Sequence, residues 1–516
     1  KSPFLFCTHK SVYSRHSKSM TQTMKYILSF LFTTILGITL LSAQDYPKRE
    51  FRGAWIQTVF QSEYAKMSPD EMKVDFIRKL NYLQECGINA IVFQVRPEAD
   101  AWYHSEIEPW SRFCTGKQGV APEPFFDPMA FLIKECHRRN MEFHAWLNPF
   151  RACTSGTAAL ADTHVYHEHP EWFVTYNKQL LFDPGIPACR EYICRVVEDI
   201  VSRYDVDAIH MDDYFYPYPV NGMPFPDDNS FRVYGLKKGY SEDERDNWRR
   251  ENVNQLIREL KHTIVKTKAW VRFGISPFGI YRNKQNTPDG SGSNTNGLQN
   301  YDNLYADVTL WVKKKWIDYN IPQVYWEIGH PAADYITLAK WWDKNAHDIH
   351  LYLGQDVART MKAGDLTTKM ETARSLRHVK GNCFWPANEI LWNNEGIADS
   401  LREHYHRYPA LLPAYTHMYN GRPKKIAKPR AKRTNKGYTV KWFSVGDRED
   451  PRNPQYFVLY RFAPKESINL NDPSKIAAIT HYTECYLPLP RTKYRYVITA
   501  VDRFHNESKG KKIKLK

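Results

Sequence analysis

From Arg52 to about Tyr408, short apolar runs alternate with longer stretches in which apolar residues recur every three or four positions. The short runs predict strands at Gly53–Gln57, Ala90–Val95, Glu142–Leu147, Ala208–Asp212, Arg272–Ser276, Ile321–Tyr325, His350–Leu353 and Asn382–Trp385. The amphipathic stretches predict helices at Pro69–Cys86, Pro128–Asn140, Pro187–Arg203, Ser241–Lys268, Tyr301–Lys315, Asp334–Asn345 and Thr368–Arg377, with a last one near Ile397–Tyr408. Ser68-Pro69-Asp70-Glu71 supplies a cap, a first-turn proline and acids at a helix start, and Gly87 a stop. A strand followed by a helix, repeated, calls for a parallel sheet, because parallel neighbours can be joined only by a crossover. Eight repeats over about 350 residues point to a closed (β/α)8 barrel of the α/β class. No glycine-rich phosphate loop follows any strand, which argues against an open doubly wound sheet.

Beyond Pro423 the period changes to two. Gly437–Ser444, Gln455–Tyr460 and Tyr494–Val501 alternate like half-buried antiparallel strands. Their spacing and the ending Ala500-Val501-Asp502-Arg503-Phe504 resemble a small all-β fibronectin type III-like sandwich. At the other end, Met24-Lys25, the apolar run Tyr26–Leu41 and the small residues before Gln44 have the anatomy of a secretory signal peptide. Three parts are therefore expected: residues 1–43 as upstream segment and leader, 44–420 as barrel, and 421–516 as basic linker and sandwich. The product would be an exported, periplasmic or extracellular monomer. It would touch a membrane only if the leader stayed uncleaved as an anchor.

Charge and cysteines narrow the partners. The formal charge is +15, and five basic residues leave with the leader, so the mature chain carries roughly +10. A second basic concentration, Arg422 to Lys436, reads as a solvated linker, since no nucleic-acid-binding fold accompanies it. A weak attraction to anionic wall polymers or lipid head groups stays open. Cys86, Cys136, Cys189 and Cys194 lie in apolar helical patterns, as buried thiols do. With no CxxC pair, no ligand-spaced Cys/His cluster and no calcium-loop spacing, neither metal nor cofactor is expected.

In a barrel the chemistry sits just past the C-terminal ends of the strands. Those positions are unusually polar here. Strand two runs into Gln94-Val95-Arg96-Pro97-Glu98-Ala99-Asp100, and strand three into Trp146-Leu147-Asn148-Pro149-Phe150-Arg151. Strand four gives His210-Met211-Asp212-Asp213-Tyr214-Phe215-Tyr216-Pro217, strand five Ser276-Pro277-Phe278-Gly279, strand six Pro322-Gln323-Val324-Tyr325-Trp326-Glu327, and strand seven Gly354-Gln355-Asp356. Together with Arg52-Gly53-Ala54-Trp55 and Asp183-Pro184-Gly185, these segments, in this order, resemble the glycosyl hydrolase-like family ten of bacterial secreted proteins. The resemblance spans roughly Arg52 to Tyr408. It implies a TIM barrel acting on glycans, with amino-sugar polymers of the bacterial wall as the expected class. Glu327 is a departure from the family's strand-six motif.

Glycoside cleavage needs a proton donor for the leaving oxygen and a second group that stabilises or traps the oxocarbenium. Asp212 and Asp213 place two carboxylates at one strand end, where mutual repulsion should keep one protonated. Adjacent acids on strand four also resemble those of amino-sugar hydrolases that use the substrate acetamide as nucleophile, Asp212 then orienting the acetamide and Asp213 donating the proton. The rival is a conventional pair, with Asp212 or Asp213 opposed by Glu327, Asp356 or Glu98. The two aspartates could instead be salt-bridged to Arg96 or Arg151. Gln94, Asn148, Arg151, Gln323 and His210 are candidate hydroxyl binders, although His210 fits a core position equally well. Asp100 fits a hydroxyl contact or a helix cap, and Tyr214, Tyr216, Tyr325, Trp326 and Trp385 are candidate stacking platforms. The Gly-, Ser- and Asn-rich stretch Lys284–Asn300 is expected to be a mobile loop over the cleft. The expected function is a secreted glycoside hydrolase; the alternative is a glycan-binding barrel without catalysis. A deacetylase or lyase would need metal-ligand spacing or a clear Lys or His base.

Overall fold

A computed structural model of the chain describes residues 46–157, 160–424, 426–444, 446–447, 449–488 and 493–515. The expected leader lies outside these residues.

Eight parallel strands close into a barrel: β1 (Phe51–Ile56), β2 (Ala90–Arg96), β3 (Glu142–Leu147), β4 (Ala208–Met211), β5 (Arg272–Ile275), β6 (Tyr319–Asn320), β7 (His350–Asp356) and β8 (Val379–Trp385). Each pairs with its neighbours in chain order, and β8 closes on β1 through Phe51 opposite Gly381 and Ala54 opposite Phe384. The outer faces of the strands pack under the helices in one large core that includes Ile91, Phe93, Phe143, Ile209 and Phe273. The inward faces form a second core around Phe51, Trp55, Val92, Trp146, Tyr319 and Tyr352. Burial on both faces explains why the strands read as continuous apolar runs. Gly274 is what lets Tyr319 lie across the axis, because a Cβ there would fall 2.0 Å from the Tyr319 ring.

The helices start where the capping residues predict. In α1 (Pro69–Glu85), Ser68 and Glu71 form a reciprocal capping box, and Gly87 (φ 75) ends the run. In α2 (Pro128–Arg138), Asp127 caps Ala130 N–H. Elsewhere the elements depart from the sequence expectation for local reasons. Strand six stops at Asn320, because Pro322 has no N–H to give a ladder, so Gln323 makes only isolated bridges to Phe278 and Gly354. The helix expected over 301–315 is broken into Asn300–Asn303 and Val308–Lys313, with Tyr305 at φ 54 between them and Asp307 capping the second. Sequence periodicity missed a small antiparallel sheet on the rim, Arg151–Cys153, Phe173–Tyr176 and Gln179–Phe182. Residues 284–300 are tied to the chain that follows strand six rather than left loose, Trp341 donating to Ser291 O and Asn296 N–H to Ala332 O.

The C-terminal part is two antiparallel sheets. One, of three strands, has the order β9 (Ala427–Thr434), β10 (Gly437–Phe443) and β13 (Glu484–Pro488). The other, of four, has the order β12 (Ile476–Thr480), β11 (Tyr456–Phe462), β14 (Arg495–Val501) and β15 (Lys511–Ile513). Val440, Trp442, Phe457, Leu459 and Ile498 fill the space between them. The basic stretch is thus no free linker: most of it is strand β9, whose Arg430, Lys432 and Arg433 are exposed at a sheet edge. Charged edge strands resist pairing with other chains, and their charge hides the alternation. The sheets dock on the barrel's N-terminal end, where Arg272 reaches Arg503 O and His505 meets Glu142. The described cysteines are all free thiols, buried or half-buried.

Candidate active site

The C-terminal ends of the strands surround a pocket of about 330 Å³. Trp55 and Gln57 come from β1, Gln94 from β2 and Trp146 from β3. Asp212, Asp213 and Tyr214 follow β4, Ser276 follows β5, Gln323 and Tyr325 come from the bridge beyond Pro322, and Trp385 from β8.

Asp212 and Asp213 are 4% and 1% exposed, so neither has water to solvate a charge freely. Asp212 is fixed from β3: Trp146 Nε1 donates to it at 3.0 Å and Asn148 Nδ2 at 3.1 Å. Burial pushes its carboxyl up, opposed by Arg151 and these donors. Asp213 receives a hydrogen bond from the Tyr218 hydroxyl, and the Gln323 amide, bonded to Ser276 O, lies beside it and favours its ionised form. Burial, then the neighbouring Asp212 charge, raises it to about 7, against the pull of those donors. Among the described residues no cation lies within ion-pair distance of either aspartate, so a salt-bridged pair is not what holds them. The site therefore holds one oriented carboxylate beside one acid poised to give up a proton near neutral pH. Such a pair can donate to a leaving oxygen while stabilising positive charge nearby.

The other predicted residues divide. Gln94 lines the pocket; its oxygen accepts from Thr58 and Val59 N–H, while its buried Nε2 has no partner among the described residues. Gln323, Tyr325, Tyr214 and Arg151 line it too, and Asn148 acts through Asp212. Six do not reach it. A register shift between Gln94 and Arg96 turns Arg96 away, into a fully buried bidentate pair with Glu108 at 2.7–3.0 Å. Asp100 is sealed under its own loop, takes Gln118 Nε2 at 3.3 Å, and is pushed to about 7 by burial and Glu98. His210 sits inside the barrel: Trp55 Nε1 donates to its Nε2 at 3.2 Å, and its Nδ1 meets the Tyr319 hydroxyl. Burial keeps it neutral, so it is a satisfied core histidine. Trp326 packs edge-on to Phe278, and the chain beyond it is tied outward by Lys369 Nζ on Trp326 O and Ile328 N–H on Asp365, which carries Glu327 away. Asp356 caps the next helix at Arg359 N–H, 2.9 Å.

Tyr218, Trp55, Trp146, Ser276 and the exposed Phe60 were missed as site residues. Trp146 was within reach: it precedes Asn148 on the strand beside the aspartates. Tyr218 had only a tyrosine- and proline-rich run to mark it.

A closed barrel with buried, mutually repelling acids at the C-terminal mouth defines a glycosyl hydrolase-like protein. The chain belongs to the glycosyl hydrolase-like 10 family, whose model matches residues 50–369. It is 37% identical over 515 residues to the glycosyl hydrolase YngK of Bacillus subtilis (strain 168), covering 96% of this chain and 99% of that protein. To the glycosyl hydrolase DigH of Escherichia coli (strain K12) it is 38% identical over 311 residues, covering 56% of this chain and 69% of that one. Among solved structures, the glycoside hydrolase domain of PgaB (BpsB) from Bordetella bronchiseptica is similar with a TM-score of 0.45 and 10% identity, over 68% of this chain and 98% of that one.

Proposed function

We propose that the chain is a glycoside hydrolase that cleaves amino-sugar strands of bacterial peptidoglycan, with Asp213 as the proton donor and Asp212 as its partner. The observation that carries the reading is the Asp212–Asp213 pair itself: buried, uncompensated by any ion-paired cation, and split so that Asp213 holds its proton to about pH 7. A barrel that only bound glycan could use ionised carboxylates to accept from sugar hydroxyls, but it would have no use for a neighbour that holds its proton toward neutral pH.

Acetamide participation is favoured over a conventional pair. Among the described residues, the pocket lining holds no third acid to stand opposite Asp213 at the separation of about 5–5.5 Å that a retaining pair needs. Asp212, held by Trp146 and Asn148, is the group that would orient an acetamide. The wall polymer lies outside the cytoplasm, which agrees with an exported chain. The three-plus-four strand order supports reading the C-terminal sheets as a fibronectin type III-like module that spaces or presents the barrel.

The test is incubation with defined wall glycans followed by product mass. A new reducing end is expected. An anhydro product would replace hydrolysis by lytic transfer, and unchanged but tightly bound substrate would leave only a binding barrel. Replacing N-acetyl by hydroxyl on the sugar should abolish turnover; equal rates would remove the acetamide from the mechanism.

A further inference from the structure

The formal charge is split between two parts of the chain. Residues 421–516 hold 23 Lys and Arg against 8 Asp and Glu, a formal +15, while residues 44–420 hold 44 against 49, a formal −5. Folding gathers much of the positive part on one side. The four-stranded sheet packs Tyr456, Val458 and Val497 against Leu411 at the barrel's base, so the three-stranded sheet lies on the far side of the sandwich. Val440 and Trp442 of β10 point into the sandwich, so by the period of two Thr439, Lys441 and Phe443 point out. In register with them, Arg430 lies opposite Lys441, Lys432 opposite Thr439, and Tyr486 on the other side of Thr439. The outer face therefore sets cations beside two exposed rings, Phe443 at 62% and Tyr486 at 54%.

Edge strand β9 also runs beside β15, the edge of the other sheet, which adds Lys511 and Lys512. Arg430, Lys432, Arg433, Lys511 and Lys512 are all exposed, and none has an ion-pair partner among the described residues. Glu484, on the same outer face, is taken by Lys441 at 2.6 Å. Protecting a sheet edge from pairing needs charge on the edge strand alone. It does not call for a cationic and aromatic outer face, or for a module charged oppositely to its barrel.

We infer that the three-stranded sheet and its β9–β15 edge are a docking surface for the anionic phospholipid head groups of a bilayer. Two observations favour a planar surface over a soluble polyanion. Lys and Arg beside exposed Tyr and Phe suit the head-group level, where cations meet phosphates and rings meet the boundary with the acyl chains. The face is also an open sheet at the opposite end of the molecule from the mouth. An anionic bilayer there attracts the sandwich, repels the negatively charged barrel and turns the mouth toward solution. A flexible polymer gains nothing from that geometry. The docking needs no spanning segment and does not depend on what the mouth cleaves.

The test is flotation of the full chain with phosphatidylcholine vesicles, with or without about a third of phosphatidylglycerol, at about 0.1 M salt. The apolar run Tyr26–Leu41 is common to every variant, so it cannot produce a difference between them. Vesicles containing phosphatidylglycerol should bind at least about tenfold more tightly. Arg430→Glu with Lys432→Glu should weaken that binding at least about tenfold. Lys511→Glu with Lys512→Glu, on the other sheet, should do the same, so one pair still reports if the other does not fold. Lys237→Glu with Lys238→Glu, an equal charge change at exposed positions of the barrel domain, should cost less than about twofold. Equal binding to both kinds of vesicle overturns the docking surface, as does a loss in the barrel pair as large as in the sandwich pairs. A soluble glycerol phosphate polymer that competes as well as the anionic vesicles at equal phosphate would give the face to a polyanion and overturn it too.

Discussion

At the N-terminal end of the barrel, Glu142 is buried against Arg272, Asp318 against Lys261, and Glu50 against Arg52 and Arg374. At the C-terminal end, Asp212 and Asp213 are as deeply buried, yet their neighbours are each other and a set of neutral donors. Burial raises every one of these carboxyls. At the base the guanidinium or ammonium beside each more than offsets it: Arg272 holds Glu142 well below the usual range, and Glu50 and Asp318 fall to about 2. At the mouth no cation among the described residues is ion-paired to either aspartate, the neutral donors offset burial only in part, and Asp213 climbs to about 7. The barrel thus carries ion-paired acids at the end where the C-terminal sheets dock, and at its other end an acid that holds its proton toward neutral pH. On the proposed function, pairing is what separates the scaffold end from the reacting end.

The largest test of this contrast is at the base. Arg272→Met leaves Glu142 buried with its main counter-charge gone, and should cost about 3–5 kcal/mol in denaturant unfolding. A cost under about 1 kcal/mol would mean that the base is held by packing alone. Asp213→Asn or Asp212→Asn should instead lower turnover on wall glycan by at least about a hundredfold, with little loss in the denaturation midpoint. Near-normal turnover in both would end their catalytic assignment.

The two ends should also respond oppositely to pH. Asp213 binds its proton more tightly folded than unfolded, about 7 against the ordinary 3.8. Its contribution is therefore complete below about pH 4 and is lost as pH rises through 7, a few kcal/mol at about 1.4 kcal/mol per pH unit. Glu50 and Asp318 are the reverse: their contribution is present above about pH 4.5 and is lost as pH falls toward 2. Asp213→Asn should consequently raise the unfolding free energy at pH 8 and leave the acid limb untouched. An unchanged stability at pH 8 would show that Asp213 is ionised and well accommodated in the fold.

Sequence periodicity was enough for the barrel, because strands buried on both faces and helices buried on one leave different repeats. It was enough to place the aspartate pair at the barrel mouth too, since both follow directly on an apolar strand. It could not assign the remaining strand-end polar residues, whose direction depends on events without a repeat. One register shift sends Arg96 to Glu108, 12 residues on in a loop, while Gln94 keeps facing the pocket. Pro322 shortens strand six, and a tether from Lys369 carries Glu327 away. The basic stretch before Gly437 hid a strand because an edge strand can be charged on one face and short on apolar residues on the other.

The smallest effect is the most specific to the mouth. Tyr218 donates to Asp213, and that bond favours the ionised carboxylate, pulling against burial and against Asp212. Tyr218→Phe keeps the ring contacts, a stack on Tyr214 at 5.3 Å and an edge contact with Phe278 at 5.9 Å, and deletes only the donor. Without it Asp213 should hold its proton to higher pH. The alkaline limb of kcat/KM should then move upward by about half a pH unit or more, while turnover at neutral pH falls roughly threefold to tenfold, the scale of one ordinary hydrogen bond. A purely structural role for Tyr218 would lower the unfolding midpoint and leave the limb in place. A limb that moved downward would mean that the Tyr218 bond serves the protonated form, so that Asp213 enters the reaction as a hydrogen-bonded acid whose proton Tyr218 helps to retain.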